Sequence, residues 1–342
     1  MADILYLGDA EEGSTSLHRA EALRRLGHQA TIVPLGDFCP PLSRWAGKAD
    51  YLTGHRWRQG AIVERLKNRI GAARRDVVWI DSGWWCGPST AKFLRGIADK
   101  LVLLNLDDPT GPREPRHWAS LRRAAPLFDA AALVRPETVE EFRQLGAKNA
   151  IRIWRGYDEV AHAPEQADRV PEQEMKSEVV FVGTGFEDRP QFMAELIERG
   201  VPLSIWGSSW KRDRHWSRIE PHWRGPSAMG PRYVAATRRA KVCLGLLSRL
   251  NRDLHTTRSG EIPYMGGLFC APRTSEHLAM FEDGKEAVFW DDVDDCAEIC
   301  RRLLTDTELR ERIRQAGSEK VRRLGIGNET VCQQILQQAG VR

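Results

Sequence analysis

Short apolar runs alternate with amphipathic stretches along the first half of the chain. The apolar runs cover residues 4–7, 30–33, 77–80, 101–105, 130–134 and 151–154. Between them, apolar residues recur at three- and four-residue spacing in 17–26, 62–70, 91–97 and 139–145. Runs of the first kind predict buried strands, and stretches of the second kind predict helices that cover a sheet. The first half is therefore predicted to be a doubly wound α/β domain with a parallel sheet.

A polar segment, residues 164–177, separates this half from the next. It contains two prolines and has no apolar period, which predicts a linker that buries no face. Beyond it the alternation restarts, with apolar runs at 179–182, 203–206, 242–247, 268–271 and 287–290. The predicted organisation is an N-terminal domain (1–163), the linker (164–177), a C-terminal domain (178–327) and a final helix (328–342). Two Rossmann-like domains facing a cleft follow from this pattern.

Length and composition agree with two ordinary globular domains. The chain has 342 residues, of which 42% are hydrophobic and 29% charged. No apolar run approaches the roughly 20 residues of a membrane helix, and the N-terminus lacks the pattern of a secretory signal. A cytoplasmic protein is therefore expected. The seven cysteines lack C-x-x-C spacing and are predicted to be reduced core residues. A net charge of +4 does not by itself imply a nucleic-acid partner.

The segment 251–267 carries the most specific candidate chemistry. It follows one apolar run and opens a helix before the next. The guanidinium of Arg258, the hydroxyls of Thr256, Thr257 and Ser259, and the amides at the helix start suit the oxygens of a diphosphate. Glu261 lies about one turn further on, where a carboxylate suits two ribose hydroxyls. A solvated loop with Ser259 as a helix cap is an equal alternative on these residues alone.

This segment closely resembles the CgeB-like (spore maturation protein) glycosyltransferase group. The resemblance extends to residues 180–185 with Arg189, to 203–207, to Tyr233 and to 281–286, and more loosely to 4–9 and 104–109. It implies a GT-B fold related to the retaining family-4 transferases, in which a glutamate, seven residues and a second glutamate contact the sugar and the ribose. Asp253 and Glu261 stand at those positions, so the first is one methylene shorter.

The same resemblance implies further contacts to the donor. Gly260 replaces the aromatic residue usual in the group, which implies a wider pocket or a softer helix start. His255, in the same segment, is another predicted nucleotide-sugar contact.

GT-B proteins commonly return their last helix to the N-terminal domain. Here apolar residues at 331, 332, 335 and 336 form a stripe for that packing. The linker and the turn at 325–327 would then form a paired hinge.

A second donor site is predicted after the run 179–182. Gly183 and Thr184 follow that run, and glycines there allow a backbone to approach a phosphate. Asp188 stands where a dinucleotide fingerprint needs its third glycine, which disfavours hydride chemistry. By the resemblance, Arg189 contacts the diphosphate, with a surface arginine as the alternative. Trp206 and Gly207 would begin a wall of the base pocket. The aromatic and basic stretch that follows, 206–224, leaves single-strand nucleic-acid binding as a minor alternative.

Candidate groups in the N-terminal domain lie after three of its predicted strands. Gly13 and Ser14 would face the donor, although an ordinary turn and helix cap describe them equally well. Asp81, Trp84 and Trp85 are predicted acceptor contacts, because exposed tryptophans stack on sugar faces, with packing of at least one of the two tryptophans in the core as the alternative. Asp107 and Asp108 complete the acceptor set, with Asp108 as a candidate base. Their spacing is not that of a D-x-D metal motif, and the GT-B resemblance implies no bound metal and no cofactor besides the donor.

These features together predict a glycosyltransferase with a nucleotide sugar as its partner. The sugar would pass from a nucleotide-diphosphate donor, with uridine as the commonest base, to a hydroxyl of an unknown acceptor. Retention of configuration is implied by the resemblance only. The predicted catalytic residues are Arg258, Asp108 and Glu261, with Arg258 stabilising the leaving diphosphate. The alternative is a non-catalytic nucleotide-sugar-binding or assembly protein of the same fold, supported by Asp253 and Gly260.

Overall fold

A computed structural model describes residues 1–71 and 73–341. The chain divides into two units. The N-terminal unit comprises Met1–Trp154, Leu250–Arg252 and Asn328–Arg342, and the C-terminal unit comprises Arg155–Arg249 and Asp253–Gly327. Each unit contains one six-stranded sheet in which all strand pairs are parallel. The predicted α/β fold of two Rossmann-like domains is therefore confirmed.

The N-terminal sheet has the strand order β2-β1-β3-β4-β5-β6. Its elements are β1 (Asp3–Gly8), α1 (Thr15–Arg25), β2 (Gln29–Pro34), α2 (Leu35–Phe38), α3 (Arg44–Leu52), α4 (Gln59–Ile70), β3 (Arg75–Asp81), α5 (Pro88–Gly96), β4 (Ala98–Asn105), α6 (Ala119–Ala124), β5 (Ala130–Leu133), α7 (Pro136–Gln144) and β6 (Ala150–Arg152). The order reverses between β1 and β3, and ligands of such sheets bind beyond the carboxyl ends of strands at this switch point.

Both faces of the N-terminal sheet are buried. Along β1, Leu5 and Leu7 join one core cluster while Ile4 and Tyr6 join another, as the two-residue period of a strand requires. Helices of the Rossmann units cover the first face. On the second face, α1 is joined by the last helix of the chain. A strand buried on both faces reads as an unbroken apolar run, which is why the sequence predicts it readily.

The C-terminal sheet has the order β12-β11-β10-β7-β8-β9. Its elements are β7 (Ser177–Val182), α8 (Arg189–Glu198), β8 (Leu203–Trp206), α9 (Trp216–Ile219), β9 (Trp223–Gly225), α10 (Pro231–Arg238), β10 (Ala240–Leu244), α11 (Thr257–Tyr264), β11 (Phe269–Pro272), α12 (Ser275–Met280), β12 (Val288–Trp290), α13 (Val293–Thr305) and α14 (Thr307–Arg323). When β7 to β12 are numbered 1 to 6, this is the 3-2-1-4-5-6 order of dinucleotide-binding domains. The switch point lies between β7 and β10.

The last helix, α15 (Asn328–Gln338), belongs to the N-terminal unit. Val331, Cys332, Ile335 and Leu336 are buried in the cluster that contains Ile4 and the other second-face residues. Outside this cluster, Arg25 of α1 donates to Glu329 at 2.5 Å. The apolar stripe of the final helix is thus the surface that completes this face of the N-terminal sheet.

The predicted linker at 164–177 is instead a packed segment of the C-terminal unit. It begins with a 3₁₀ helix, Pro164–Arg169, and Ala167 and Val170 are buried against residues of α10. The guanidinium of Arg239 donates to the carbonyls of both, and to two further carbonyls of the segment. The prediction failed because two apolar residues and one distant arginine are enough to order a polar stretch. The chain first passes between units at Trp154 and Arg155 instead.

None of the helices within the described residues is both long enough and apolar enough to cross a membrane. All seven cysteines are buried thiols.

Candidate functional site

Two arginines converge on the switch point of the C-terminal sheet. Arg189, at the start of α8, donates to the carbonyl of Thr184 at 3.0 Å and to those of Leu246 and Leu247 at 3.3 Å. It therefore fastens the loop after β7 to the loop after β10. Arg258, in the first turn of α11, donates to the carbonyl of Val182, the last residue of β7, at 3.3 Å.

The two guanidinium groups are close enough to repel each other. Burial lowers the pKa of Arg189 to about 10, and the positive charge of Arg258 contributes to that lowering. Both groups are still charged at neutral pH. Two cations held together at a switch point, beside the amino end of α11, form a place where a diphosphate would be stabilised.

Glu261 lies at the centre of a buried polar cluster. It accepts from Arg258, which lies three residues earlier, and from the hydroxyl of Tyr233 at 2.9 Å. The His162 ring approaches its other oxygen at 3.7 Å. Nδ1 of His162 accepts from the Asp158 amide, so Nε2 carries the proton that faces Glu261. Burial by itself raises the pKa of Glu261, but the Arg258 charge and these contacts outweigh it, and the pKa lies below its ordinary value.

In this arrangement the Glu261 carboxylate is not exposed and open to a ribose. Its side chain is 2% exposed, whereas that of Arg258 is 30% exposed. Arg258 also lies over the Tyr233 ring, 4.4 Å from its centroid. A ribose can therefore reach the carboxylate only if Arg258 releases it.

The start of α11 is held by a capping box. The Thr256 hydroxyl accepts from the Arg258 amide at 3.2 Å, and the Ser259 hydroxyl accepts from the Thr256 amide at 3.1 Å. Ser259 is fully buried and contacts Nε2 of His277 at 2.9 Å. Nδ1 of His277 lies 2.7 Å from the Pro272 carbonyl and must donate to it, so Nε2 accepts from the serine. Thr256 is thus the N-cap of α11, and buried Ser259 completes the capping box from within the first turn of the helix.

His255 and Asp253, which precede α11 in the same segment, are also buried. His255 Nε2 accepts from the Arg155 amide at 3.0 Å, and its Nδ1 lies 2.5 Å from a Glu276 oxygen. The ring is therefore a neutral Nδ1–H tautomer that donates to the carboxylate. Asp253 pairs with the Arg155 side chain at 3.1 Å, and both side chains are less than 10% exposed. Arg155 lies about 100 positions before His255, and Glu276 lies 21 positions after it, so no local spacing identifies either partner.

The glycines of this region allow other parts of the chain to pack closely against the backbone. A Cβ on Gly260 would lie 3.1 Å from Gly156 Cα and 3.2 Å from Ile326 Cδ1. The missing aromatic residue thus allows α11 to pack closely and does not widen a pocket. A Cβ on Gly207, whose φ is 144°, would lie 1.9 Å from the Gly183 carbonyl oxygen. Gly183 itself accepts from the Trp210 indole at 3.0 Å, so this pair is required where β7 and β8 end together.

Trp206, the last residue of β8, is half-buried against the cluster formed by α10 and the 164–177 segment. The ring packs closely on Gly225, since a Cβ there would lie 3.0 Å from Trp206 Cζ3. Among residues 1–71 and 73–341, six non-glycine residues have positive φ, and four of them lie in the connections that follow strands, namely Ser82, Glu187, Ser209 and Arg252. Such conformations concentrate at functional sites. The loops at the carboxyl edges are therefore the strained parts of both sheets.

At the switch point of the N-terminal sheet, Asp81 is held by buried partners. Its Oδ2 accepts from the Tyr6 hydroxyl. The same oxygen accepts from two nitrogens of the Arg19 guanidinium, at 2.7 and 2.8 Å. Gly13 has a φ of 80°, and Ser14 caps α1 by accepting from the Leu17 amide at 3.1 Å. The Ser14 hydroxyl also donates to the Asp9 carbonyl. Gly13 thus lies in a turn, Ser14 caps α1, and Asp81 belongs to a buried ion pair.

The two predicted acceptor tryptophans differ in burial. Trp85 is 1% exposed and packs edge-on against Phe38 in the core. Trp84 is half-buried and stacks on His117, with ring centroids 5.2 Å apart. Of the two rings, Trp84 alone retains a surface that a sugar could contact.

A chain of hydrogen bonds beside Trp84 has no counterpart in the sequence interpretation. Asp50 lies 2.8 Å from His55 Nδ1, and His55 Nε2 lies 3.0 Å from His117 Nδ1. Burial, with the neighbouring His55, lowers the pKa of His117 to about 4, so its ring is neutral at pH 7. The three residues come from α3, the turn after it and a loop 62 residues further on, so local spacing does not reveal them.

Asp107 and Asp108 have distinct positions. Asp107 is exposed and accepts through its backbone from Arg135 at 2.6 Å. Asp108 is fully buried at its side chain and makes a two-bond ion pair with Arg252, at 2.6 and 2.7 Å. Burial opposes its charge, but the Arg252 bonds and nearby positive charge hold the pKa of Asp108 below its ordinary value. Asp108 therefore anchors residues 250–252 through this ion pair.

The fold and these strand-end sites define the class of protein. Two Rossmann-like parallel sheets in one chain are the GT-B architecture, and structures of that class match nearly the whole molecule. They include a UDP-forming trehalose-phosphate synthase from Burkholderia xenovorans in complex with glucose-6-phosphate, with 13% identity, a TM-score of 0.68 and coverage of 99% of this chain and 100% of that chain. A sucrose-phosphate synthase from Thermosynechococcus elongatus has 12% identity, a TM-score of 0.67 and 98% coverage of each chain.

A third similar structure is Anabaena HepE in complex with UDP-glucose, with 15% identity, a TM-score of 0.63 and coverage of 99% of this chain and 100% of that chain. In sequence, residues 189–337 match the family model described as glycosyl transferase-like. No curated protein matches the sequence significantly. The chain thus has a glycosyltransferase-like fold. The match covers Arg189 and the whole α11 segment.

Proposed function

We propose that this protein is a glycosyltransferase that moves a sugar from a nucleoside-diphosphate sugar to an acceptor hydroxyl. The observation that carries the proposal is the convergence of Arg189 and Arg258 at the β7–β10 switch point. A leaving diphosphate accumulates negative charge as the bond to the sugar breaks, and fixed cations stabilise that charge. Uridine is the proposed base, and the UDP-glucose in the HepE structure supports it.

In the proposed reaction the bond between the sugar and the diphosphate breaks as the acceptor oxygen bonds to the sugar carbon. The acceptor proton passes to the departing phosphate, and the configuration is retained. This step requires no base from the protein, which fits the ion pair that occupies Asp108. Arg258 and Arg189 stabilise the departing phosphate.

Binding of the donor would exchange the partners of Arg258. The guanidinium is 30% exposed, so it can turn from Glu261 toward a diphosphate. Release of Glu261 would free the oxygen that a ribose hydroxyl needs. Tyr233 would keep its bond to the carboxylate, so the charge is never left without a donor. In this way the ribose role of Glu261 is compatible with its buried state before donor binding.

A second candidate is a nucleotide-sugar-binding protein without turnover. The observation that favours it is that both acidic residues of the donor motif, Asp253 and Glu261, are engaged in internal ion pairs. Such a protein would bind the donor and leave the sugar in place. The two proposals make opposite predictions for product formation with a bound donor.

A panel of nucleotide sugars tests both proposals. Thermal unfolding is measured with UDP-, GDP- and TDP-linked sugars, because a ligand at 100 times its dissociation constant adds about 2.7 kcal/mol of stability. Each stabilising donor is then incubated with the protein and an acceptor library, and the release of nucleoside diphosphate is followed. Stabilisation with release supports the transferase, and stabilisation without release supports the binding protein. If no nucleotide sugar stabilises the protein, both proposals fail.

A further inference from the structure

A concave basic surface lies at the opposite edge of the C-terminal sheet from the two arginines. The cavity has a volume of about 730 Å³ and is lined where β7, β8 and β10 begin, at Ser177, Leu203 and Ala240. Further parts of its wall come from α14, from the end of α10, and from His222 and Arg224 at the start of β9. Because β7 has six residues, its two ends are separated by roughly 20 Å, at about 3.3 Å for each residue. The cavity is therefore distinct from the proposed donor site.

The net positive charge of the residues that line this cavity is larger than the net charge of the whole chain. Seven lining side chains are arginines or lysines and two are glutamates, whereas the entire sequence has a net charge of only +4. The two glutamates are already paired, Glu178 with Lys241 at 2.7 Å and Glu311 with Arg314 at 3.4 Å. The acidic groups of the wall thus cannot neutralise the other basic side chains.

Three of those basic residues have no carboxylate partner among the described residues. Arg224 makes only long bonds, to the Ser204 hydroxyl at 3.4 Å and the Pro221 carbonyl at 3.3 Å. Arg239 bonds solely to backbone carbonyls, which leave its charge uncompensated. Arg238 is exposed at the end of α10 and forms no ion pair within 1–71 and 73–341.

Buried polar atoms of the same wall lack hydrogen-bond partners. They are the Ser177 hydroxyl and Arg314 Nε. Arg310 is only 6% exposed; its Nε lies 3.4 Å from the Glu311 carboxylate, and its other nitrogens donate to the Leu303 carbonyl and the Thr307 hydroxyl. Most buried donors in folded proteins find an acceptor, so donors without one at a cavity wall indicate a site for acceptor oxygens.

We propose that this cavity binds a small, multivalent, phosphate-bearing anion, as a second ligand site separate from that of the sugar donor. Its volume is within the range of small-molecule sites. Arginine-rich walls match phosphate because the guanidinium fork donates two bonds to two oxygens. A concave wall suits a compact ligand, whereas a membrane or a nucleic-acid strand requires a more extended basic surface. This proposal does not depend on transferase activity.

Titration calorimetry with inorganic tripolyphosphate tests the proposal on the full chain, at an ionic strength of about 150 mM to limit non-specific attraction. The test variant is the double substitution Arg224→Gln and Arg238→Gln, which removes two exposed charges with few internal bonds. The matched control is Arg312→Gln with Arg323→Gln, which removes two exposed charges from α14 outside the cavity wall. Thermal unfolding without ligand verifies that both variants are folded.

The expected result is saturable binding by the wild-type protein, at least about tenfold weaker binding by the test variant, and unchanged binding by the control. Equal weakening in both variants would reveal general charge attraction and overturn the proposal. Absence of saturable tripolyphosphate binding would also overturn it. Sedimentation with phosphatidylglycerol vesicles adds a further arm. Vesicle binding without tripolyphosphate binding would assign the wall to a lipid surface and contradict a soluble ligand.

Discussion

The Arg258–Glu261 pair gives the sharpest prediction, because one partner is buried and the other is not. Glu261→Gln keeps the shape of the side chain and removes its charge. Arg258 would lose its ionic partner but remain 30% exposed, so water can solvate it. We expect the variant to fold with reduced stability and with altered donor binding.

The magnitude follows from the two exposures. Removing one partner of a fully buried pair costs about 3–5 kcal/mol. Because Arg258 regains water and glutamine can still accept from Tyr233, we expect Glu261→Gln to lower the free energy of unfolding by about 2 kcal/mol. Glu261→Ala also leaves a small cavity and should cost about 3–4 kcal/mol. Both effects are large against the 5–15 kcal/mol that typically separates folded from unfolded domains.

Urea denaturation of the full chain measures this change, with a matched control in α13. Glu298 also pairs with an arginine three residues away on a helix, but it is 66% exposed and Arg301 is 56% exposed. Exposed pairs contribute less than about 1 kcal/mol. Glu298→Gln should therefore change stability by only a few tenths of a kcal/mol. If the Glu261 and Glu298 variants lost the same amount, burial would not determine the strength of the pair.

The pH dependence provides an independent check. The pKa of Glu261 lies below its ordinary value in the folded protein. Its contribution to stability is therefore present above the unfolded pKa, about 4.3, and is lost as the pH falls through the folded value. The difference between wild type and Glu261→Gln should shrink in acid. A difference that stayed constant down to about pH 3 would contradict the ionic role.

Three further predictions concern other parts of the molecule. Ile335→Ala should cost about 2–5 kcal/mol in urea denaturation because Ile335 is fully buried, whereas exposed Gln334→Ala should be nearly neutral. Arg252→Met should destabilise the fold by about 3 kcal/mol because it leaves the Asp108 carboxylate buried without its charge partner. Adding Asp108→Asn should recover part of that loss, and no recovery would refute the pairing. If the proposed transfer is correct, Arg258→Lys should lower kcat more than it raises KM, since lysine lacks the bidentate fork.

The architecture was readable from the sequence because both sheets are buried on both faces. Apolar runs mark β1 and β7 without ambiguity, and the stripe at 331–336 marks the packing face of α15. Short elements escaped the same reasoning. β9 has only three residues, in a stretch of alternating tryptophans and charges, which is too short for a period to appear.

The candidate site was only partly readable. Arg189 and Arg258 could be selected because they follow strands or begin helices, and the structure places both at a switch point. The partners of the acidic residues could not be predicted. Asp108 meets Arg252 across 144 positions of sequence, and Asp253 meets Arg155 across 98. Local patterns identify an ionisable residue, but only the fold determines whether its charge is already neutralised.

The membership of α15 in the N-terminal unit has a consequence for biosynthesis. The second face of the first sheet is completed by residues near the end of the chain, so it stays uncovered while everything between is translated. Ribosomes add about 5–20 residues per second, which leaves the surface of α1 that α15 covers without its partner for on the order of ten seconds or more. During that interval the nascent chain presents an apolar surface to the cell. The protein is therefore expected to engage chaperones before termination, and premature stops just ahead of residue 328 should yield aggregating fragments despite encoding every strand.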